Sequence, residues 1–327
     1  MKKLRILALI LCAALVGAVL SGCAQKEEMP TIAILQFADH PSLDNCREGF
    51  MEGLRLSGYE EGENITFAYQ NAQADTAVAN QIATNFVSKK VAMICGIATP
   101  AAQAAFNAAE PTGIPVVYSA ISDPVEAKFA DAQGHTSGRN ITGTSDRLPV
   151  EQQLIMIRAF LPEATKIGIL YSTNEINSIT HIAEYKELAP KYGFEIVEKG
   201  IGAAQDLPMA LDVLLNEVDC LNNLTDNLVV SALATVLDKA GEKNIPVFGS
   251  EIEQVKNGCL AAQSLDYYAL GVETGKLAAR VLDGEKIGDM PFISIEESSP
   301  VINQRVMEQL ALNLPEVYAN TAEFVVE

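Results

Sequence analysis

Apolar runs of strand length alternate with helix-forming segments along most of the chain. Between residues 91 and 124, an apolar run ends at Thr99-Pro100, an alanine-rich segment follows, and a second apolar run covers residues 114–121. Short apolar runs are typical of buried parallel strands, and alanine is the strongest helix former. The pattern predicts a β-α-β unit. Its two loops, at Thr99-Pro100 and Ser122-Asp123-Pro124, should lie at the carboxyl edge of a parallel sheet, where open α/β folds bind ligands.

Thr99 and Pro100 are predicted to begin the helix of this unit. Threonine is a favourable N-cap, and proline is a favourable first helical residue. The first turn then has unpaired N–H groups and the positive end of the helix dipole at the carboxyl edge of the sheet. We therefore expect Thr99, Pro100 and Ala101 to form a site for a carboxylate.

The same alternation predicts two sets of strands and helices. The first set has strands at 31–37, 65–72, 91–98 and 114–121 and helices at 43–57, 75–88 and 100–109. The second set has helices at 149–160, 177–192, 207–216 and 227–242 and strands at 166–172, 194–201, 218–224 and 245–249. A tail adds strands at 260–265 and 292–295 and helices at 267–282 and 303–312. Strands that alternate with helices favour parallel sheets covered on both faces.

The two sets resemble each other, which predicts two similar doubly wound α/β lobes. The third strand of each set runs into a threonine-containing turn and a helix, at Thr99-Pro100 and at Thr225-Asp226-Asn227. We assign residues 31–145 and about 250–290 to the first lobe, and residues 146–249 and about 291–327 to the second. Several crossings between lobes predict a hinge at three places. These are Ser145-Asp146, Gly249-Ser250 and Asp289-Met290-Pro291.

The beginning of the chain has the pattern of an export signal. Lys2, Lys3 and Arg5 precede the apolar run 6–20, which is short for a membrane-spanning helix and ends in small residues. The segment Leu20-Ser21-Gly22-Cys23 resembles a bacterial lipobox. Residues 1–22 are thus predicted to be a lipoprotein signal peptide, Cys23 the lipidated residue that anchors the protein outside the cytoplasm, and residues 23–30 a tether. The alternative is an uncleaved anchor helix.

Net charge narrows the class of ligand. The chain has 23 basic and 42 acidic residues; without residues 1–22 it keeps 20 basic and 42 acidic residues, a net charge of −22. Such a field repels nucleic acids, phosphorylated metabolites and anionic membrane surfaces. A small zwitterion held by local dipoles remains compatible with it.

Seven short motifs carry a resemblance to a known family, in order and over nearly the whole chain beyond the tether. The motifs are DHPSLD (39–44), NAQ (71–73), IATPAAQ (97–103), SDPV (122–125), NITGTSD (140–146), TDN (225–227) and DYYALG (266–271). With the lipobox, they are similar to those of the substrate-binding lipoproteins of ABC transporters, in the tryptophan/tyrosine-type family. Leu224 and Gly249 stand where relatives usually have proline and alanine, which leaves the shape of the pocket open.

The resemblance implies a two-lobed, periplasmic-binding-protein-like fold of the first type. It also implies a small amino acid as ligand, aromatic in the first instance, and delivery to an ABC permease with its cytoplasmic ATPase. No cofactor is expected. Two alternatives stay open: a sensor receptor of the same fold that acts on a membrane signalling protein, and an exported enzyme on the same scaffold.

The residues expected to bind the ligand lie at the carboxyl edges of both lobes. Thr99 and Ser122 would bind the carboxylate, and Asp123 or Asp226 would pair with the ammonium group. Each of them also has a structural interpretation, as a helix cap or as part of a turn. The other candidates are polar or aromatic side chains near strand ends, namely Asn174, Asn177, Ser178, Asn227, Glu251, His40 and Tyr171.

The sequence contains no recognised catalytic or metal-binding pattern, so neither an enzyme nor a metal site is expected. The three histidines are far apart, and no His-x-x-x-His or Cys-x-x-Cys spacing occurs. The segment 271–277 imitates a phosphate loop, but its spacing is one residue short and Leu277 replaces the Ser/Thr, so a helix is expected. Cys95 and Cys220 are predicted to be buried in strands. Four cysteines permit three disulfide patterns, which stay open for Cys46, Cys95, Cys220 and Cys259.

Overall fold

Strands and helices alternate through the described part of the chain, which is residues 29–131, 135–136, 138–295 and 297–325 of a computed structural model. The strands are β1 (Thr31–Gln36), β2 (Thr66–Asn71), β3 (Met93–Ile97), β4 (Val116–Ser119), β5 (Ile141–Ser145), β6 (Lys166–Ser172), β7 (Glu195–Ile201), β8 (Cys220–Asn222), β9 (Val247–Phe248), β10 (Ala261–Ser264), β11 (Ile293–Ser294), β12 (Ser299–Asn303) and β13 (Glu323–Val325). The helices are α1 (Pro41–Leu56), α2 (Thr76–Ser88), α3 (Thr99–Ala109), α4 (Val150–Phe160), α5 (Ile176–Leu188), α6 (Leu207–Leu214), α7 (Asn227–Ser231), α8 (Leu233–Glu242), α9 (Ile252–Lys256), α10 (Tyr267–Leu282) and α11 (Gln304–Gln309). The predicted signal peptide and residues 23–28 of the predicted tether lie outside the described residues.

The first lobe is built on a sheet of six strands in the order β2-β1-β3-β4-β5-β11. Every neighbouring pair in this sheet is parallel. The second lobe has a parallel sheet in the order β7-β6-β8-β9, and β10 continues it through backbone bonds to β9. The order of the first four strands is the same in both lobes. The structure therefore confirms two similar doubly wound α/β lobes.

Helices α1 and α10 of the first lobe approach unusually closely, because glycines form their contact. A Cβ atom added at Gly49 would lie 2.2 Å from the backbone oxygen of Tyr268, and one added at Gly271 would lie 2.2 Å from that of Cys46. Gly53 and Gly275 make the same kind of contact one turn further along. The segment that imitates a phosphate loop is thus part of a packed helix, as expected.

Two parts of the tail belong to lobes other than those predicted. We expected residues 250–290 in the first lobe, but β10 lies beside β9 and pairs antiparallel with β12 of the second. We expected residues 291–327 in the second lobe, but β11 pairs with β5 of the first. The sequence pattern predicts where a strand lies but not which strand it pairs with, since pairing between distant segments is decided only in the folded protein.

Two of the three places where the chain crosses between the lobes therefore differ from the prediction. The chain passes between lobes after β5, at Asp146, as predicted. It passes again between β10 and α10, at Leu265-Asp266, and a third time between β11 and β12. The predictions of crossings at Gly249-Ser250 and at Asp289-Met290-Pro291 were wrong, because Gly249 joins two elements of the second lobe and Met290 packs in the first-lobe core.

Most predicted elements are present, but the predicted helix 227–242 is broken. Helix α7 ends at Ser231, and α8 starts two residues later. The Ser231 hydroxyl donates a hydrogen bond of 2.8 Å to the Asn227 carbonyl oxygen, a contact that bends helices. Strands β5, β12 and β13 were not predicted at all, since β5 contains Gly143, β12 contains Pro300 and β13 has only three residues.

The four cysteines of the described chain do not form disulfides. Cys46, Cys95, Cys220 and Cys259 are buried, and within the described structure they are free thiols. Cys95 lies in β3 and Cys220 in β8, as predicted.

Among the described helices, none is long and apolar enough to cross a membrane.

Candidate functional site

A cavity of about 330 Å³ lies between the lobes, at the carboxyl ends of both sheets. This volume includes the open mouth of the cavity, and the part that the centre of a water-sized sphere can occupy is about 20 Å³. As predicted, the turns at Thr99 and at Thr225 line the same space. The full lining is His40, Ser42, Leu43, Ala98, Thr99, Ala120, Ser122, Asp146, Asn177, Thr225, Asn227, Val230, Gln254 and Tyr267.

The start of α3 differs from the prediction in a way that matters for the site. Ala98, not Thr99, is the N-cap residue, with φ 74° and ψ 153°, and Thr99 is the first residue of the helix. Ala98 donates its N–H to the Ser119 carbonyl oxygen of β4, so the chain must turn sharply directly after β3. Ala120 also has a positive φ, of 59°. Such strained backbone in non-glycine residues is concentrated at functional sites.

This geometry leaves donors unused at the first-lobe helix. The first helical hydrogen bond runs from the Ala102 N–H to the Ala98 carbonyl oxygen, so the amides of Thr99 and Ala101 precede it. The Thr99 hydroxyl is buried and has no hydrogen-bond partner among the described residues. Pro100 and Ala101 are buried in the same turn but lie outside the cavity lining.

The corresponding helix end of the second lobe is already occupied by carboxylates of the protein. Asp226 caps α7 by accepting the Val229 N–H at 3.0 Å, and its other oxygen accepts the Ser172 N–H and the Ser178 hydroxyl, both at 2.7 Å. Glu175 accepts the N–H groups of Asn227 and Leu228, each at 3.1 Å. The two helix ends are therefore unlike: one is occupied by carboxyl groups of the protein, and the other is open to an anion.

This arrangement corrects the predicted role of Asp226 and adds Glu175. Asp226 is fully buried and lies outside the cavity lining, so it acts as a cap and not as a partner for a ligand cation. Burial raises the pKa of Glu175 to about 8, and the nearby charge of Asp226 contributes. Glu175 was not among the residues predicted from the sequence. Its position three residues after the last buried residue of a strand gave no signal, because the main-chain amides that it binds are 52 and 53 residues away.

Asp146 forms the hinge side of the cavity and is, among the described residues, the only acidic residue in its lining. It is 3% exposed. Its carboxylate accepts the Tyr267 hydroxyl at 2.6 Å and the Ser122 hydroxyl at 3.2 Å. Burial raises the pKa of Asp146 above its ordinary value, and the two hydroxyls oppose this shift. Asp146 was predicted from the sequence to lie at the hinge, but not to belong to the site.

His40 brings the first lobe into contact with the second. Its Nε2 lies 3.4 Å from Oδ1 of Asn227, and both residues line the cavity. Burial lowers the pKa of His40 to about 4, although Asn227 and the nearby carboxylates Asp44 and Asp39 oppose this shift. The imidazole is therefore neutral near pH 7, and it contributes a hydrogen-bonding group instead of a charge.

Unpartnered polar atoms concentrate at the cavity. In the described part of the chain, seven buried side-chain polar atoms lack a hydrogen-bond partner, and four of them belong to residues of the lining. These four are Nδ1 of His40 and Oγ1 of Thr99 from the first lobe, and Oδ1 of Asn177 and Oγ1 of Thr225 from the second. A buried polar group without a partner costs about 1–3 kcal/mol, so this cavity is suited to a polar ligand.

Five of the thirteen predicted ligand-binding residues line the cavity, and the others do not. The five are His40, Thr99, Ser122, Asn177 and Asn227. Asp123 instead accepts the N–H groups of Val125 and Glu126, so its carboxylate stabilises a turn. Ser178 binds Asp226, Asn174 lies toward Gly202, and Tyr171 packs at the edge of the second-lobe core. The cavity roles predicted for Asp123, Asn174, Ser178 and Tyr171 are not supported by these contacts.

Glu251 lies beside the cavity, at the interface between the lobes. It caps α9 by accepting the N–H groups of Glu253 and Gln254, and it accepts a hydrogen bond from Ser42 of the first lobe. Burial raises the pKa of Glu251 to about 7, and these hydrogen bonds oppose the shift. The predicted ligand contact of Glu251 is thus replaced by a contact between lobes.

The raised pKa of Glu251 predicts that stability falls as pH rises from about 5 to about 7. The ordinary pKa of this carboxyl is 4.5, so between pH 4.5 and 7 the folded protein binds more protons than the unfolded chain. Unfolding then becomes easier with each increase in pH. Calorimetric melting across this range measures the slope, and Glu251→Gln should flatten it. An equal slope in the variant would contradict the assignment.

The site contains no recognisable metal centre. Over the described ranges, no group of three or more His, Cys, Asp or Glu side chains is placed to hold a metal ion.

Comparison with known proteins places the chain in a family. Residues 31–326 match the family described as ABC transporter substrate binding protein. The chain is 36% identical to a protein named tyrosine-binding protein from Clostridioides difficile, over 99% of this chain and 96% of that one.

Two solved structures are similar over most of the chain. An ABC domain in complex with L-Trp from Streptococcus pneumonia is 31% identical, with a TM-score of 0.87 over 91% of this chain and 100% of that one. The ligand-free, open structure of a substrate-binding protein with adhesive properties from Clostridium difficile is 37% identical, with a TM-score of 0.67 over 91% and 99%. From the family match and these similarities, the chain belongs to the family of ABC transporter substrate-binding proteins, with the type I periplasmic-binding-protein fold.

Proposed function

We propose that the protein is the extracytoplasmic receptor of an ABC importer, and that it binds an aromatic amino acid, L-tyrosine in the first instance. In this proposal residues 1–22 are a signal peptide, a lipid on Cys23 anchors the protein to the membrane, and the closed, loaded form delivers its ligand to the permease and its ATPase. The family is one of binding proteins that work with membrane transporters, and not one of enzymes.

The observation that carries the proposal is the set of four buried polar atoms around the cavity that have no partner in the part of the chain that the structure describes. Two come from each lobe, so a ligand that satisfies all of them must touch both lobes. Such a ligand stabilises the closed arrangement, because it binds that arrangement better than an open one. This differential affinity is what a receptor that signals its loaded state to a permease requires.

The two unlike helix ends favour one orientation of an amino acid. Its carboxylate would bind the first turn of α3, where the Thr99 hydroxyl and the amides of Thr99 and Ala101 have no partner among the described residues. Hydrogen bonds to a charged group are worth about 1.5–3 kcal/mol each. The ammonium group would lie toward Asp146, whose negative charge is buried in the lining.

The remaining lining suits a side chain that is largely apolar. Leu43, Ala98, Ala120 and Val230 contribute aliphatic surface from both lobes, and Tyr267 contributes a ring. The name of the tyrosine-binding relative and the L-Trp complex support an aromatic ligand.

The similarity scores support a closed arrangement of the lobes. The TM-score is 0.87 to the L-Trp complex and 0.67 to the ligand-free, open structure, although the second protein is more similar in sequence. Lobe rotation about a hinge lowers such a score without changing either lobe.

Calorimetric titration with the twenty amino acids tests this function. We expect L-tyrosine to bind and to raise the melting temperature, since a ligand at a hundred times its Kd adds about 2.7 kcal/mol of stability. Thr99→Val should weaken this binding roughly tenfold or more through loss of one charge-assisted hydrogen bond. The unliganded variant should melt no earlier than wild type. If no aromatic amino acid binds, or if Thr99→Val binds with unchanged affinity, the proposal is wrong.

A further inference from the structure

We propose that Glu175 is a positioning residue, which orients the side-chain amides of Asn177 and Asn227 so that they present their oxygens, and not their nitrogens, on the side of the cavity that receives the ammonium group of the ligand. The inference rests on the proposed function and deepens it, because it assigns the part of the amino acid that the second lobe receives. In this assignment the negative charge of Asp146, at the hinge, attracts the ammonium group. Neutral oxygens of the second lobe orient that group by accepting its hydrogen bonds.

The contacts of Glu175 fix the orientation of both asparagines. Its carboxylate is 2% exposed and receives four N–H groups. Two are main-chain amides, of Asn227 and Leu228, whose direction cannot be reversed. The other two are Nδ2 of Asn227, at 2.5 Å, and Nδ2 of Asn177, at 3.2 Å. Three of these contacts, from the Asn227 main-chain amide and from both Nδ2 groups, fall on the same oxygen, Oε2 of Glu175. Because a main-chain N–H can only donate, Oε2 acts as an acceptor, and each asparagine must present its nitrogen to it and not its oxygen.

The orientation leaves an acceptor on the cavity side. The nitrogen and oxygen of a carboxamide lie on opposite branches, so the Asn177 oxygen is directed away from Glu175. This oxygen is buried, its residue lines the cavity, and it has no partner in the described structure. The adjacent hydroxyl of Thr225 is also buried and, over the same described residues, unpartnered.

Through Asn227, Glu175 also orients a hydrogen bond to His40 of the first lobe. Because its nitrogen binds Glu175, its oxygen accepts a hydrogen bond from Nε2 of His40, at 3.4 Å. The proton of the neutral imidazole is then on Nε2, and Nδ1 becomes an acceptor. Nδ1 of His40 is one of the buried atoms that lack a partner among the described residues. One carboxylate thereby fixes acceptors in both lobes.

An ammonium group matches these acceptors, and a carboxylate does not. The ammonium group of an amino acid carries three N–H donors and no acceptor. A ligand carboxylate in the same place would face oxygen lone pairs, with Glu175 and Asp226 close behind them. The unused amides at the start of α3 are the favourable place for it. The inference replaces the ammonium partners first predicted, Asp123 and Asp226, with neutral oxygens.

The variant Glu175→Gln tests the role without changing the size of the side chain. Glutamine carries an NH₂ group, which would face the main-chain N–H of either Leu228 or Asn227. Neither amide can reverse, so the side chain must shift, and its hold on the two asparagine nitrogens is weakened. The matched control is Asp219→Asn, since Asp219 is another second-lobe carboxylate that accepts two main-chain amides, from Thr165 and Lys166, and it lies outside the lining.

A comparison of two ligands distinguishes the loss of positioning by Glu175 from a general loss of folded structure. L-tyrosine and 3-(4-hydroxyphenyl)propionate differ by the ammonium group, and calorimetry gives the ratio of their Kd values. We expect Glu175→Gln to reduce this preference for tyrosine roughly tenfold or more, and Asp219→Asn to leave it unchanged. A variant that is only less well folded would bind both compounds more weakly and keep the ratio. A preserved ratio in Glu175→Gln overturns the inference.

A measurement without ligand keeps the inference testable if tyrosine does not bind. The carboxamide protons of Asn177 and Asn227, observed by NMR, should exchange slowly with water in the wild-type protein and in Asp219→Asn, and rapidly for at least one of them in Glu175→Gln. Rapid exchange of both in the wild type overturns the inference. Slow exchange in a protein that binds no amino acid would instead overturn the proposed function and leave the positioning role of Glu175 standing.

Discussion

The substitution Asp146→Asn is expected to weaken L-tyrosine binding roughly thirtyfold or more, since truncating one partner of a buried, hydrogen-bonded charge pair costs about 2–5 kcal/mol. Asp146 is the acidic residue of the cavity lining, within the residues described. Asparagine keeps its shape, and the hydroxyls of Tyr267 and Ser122 can rotate to donate or accept. The change therefore removes the charge and little else. Calorimetric titration measures the effect.

Two controls define what a loss of affinity means. Tyr267→Phe keeps the charge of Asp146 and removes one hydrogen bond to it, so a loss of about 1 kcal/mol or less is expected. The compound 3-(4-hydroxyphenyl)propionate has no ammonium group, so Asp146→Asn should not weaken its binding. If the variant loses affinity for both compounds to the same degree, Asp146 acts on the hinge and not on the ligand.

The substitution Gly271→Ala is expected to destabilise the protein by about 3 kcal/mol, the upper end of the usual cost of overpacking. The added Cβ would lie 2.2 Å from the Cys46 backbone oxygen and 2.9 Å from the Phe50 backbone nitrogen. Backbone atoms inside a helix cannot rotate away, so α1 and α10 must separate. Thermal or denaturant unfolding measures the loss.

Gly241→Ala is the matched control for this prediction. Gly241 also lies in a helix, α8, but its Cβ would meet no described atom within 4 Å. Alanine there should stabilise the protein by about 0.5–1 kcal/mol, since glycine in a helix is entropically costly. Destabilisation of equal size in both variants would show that helix propensity, and not the contact between α1 and α10, determines the result.

The alternation of strands and helices was accessible from sequence because local chemistry determines it. The apolar run before Thr99 and the alanine-rich segment after it specify β3 and α3 without reference to any distant residue. The same holds for the second set of elements, and the repeat of the pattern predicted the second lobe. Parallel connections then place the loops after β3 and β8 at carboxyl edges, so the general location of the site followed.

Caps and carboxylate partners were less accessible, because several residues compete for each helix end. Thr99 has the chemistry of an N-cap, yet Ala98 occupies that position, since pairing of β3 with β4 extends to Ala98. Asp226 was predicted correctly as a cap, but the Ser172 and Ser178 donors that hold its second oxygen come from another β-α unit. The sequence could not tell that these donors keep Asp226 out of the cavity.

The sequence by itself determined the elements, the two lobes and the edge at which they offer their loops, because these depend on contacts between near neighbours in the chain. Only the tertiary structure decided which lobe receives β10 and β11, which acidic side chain lines the cavity, and which way the asparagines beside Glu175 are turned. These outcomes depend on partners that are 35 or more residues apart, or on which of several similar polar groups is left buried without a partner among the described residues. Folding, and not local pattern, selects among them.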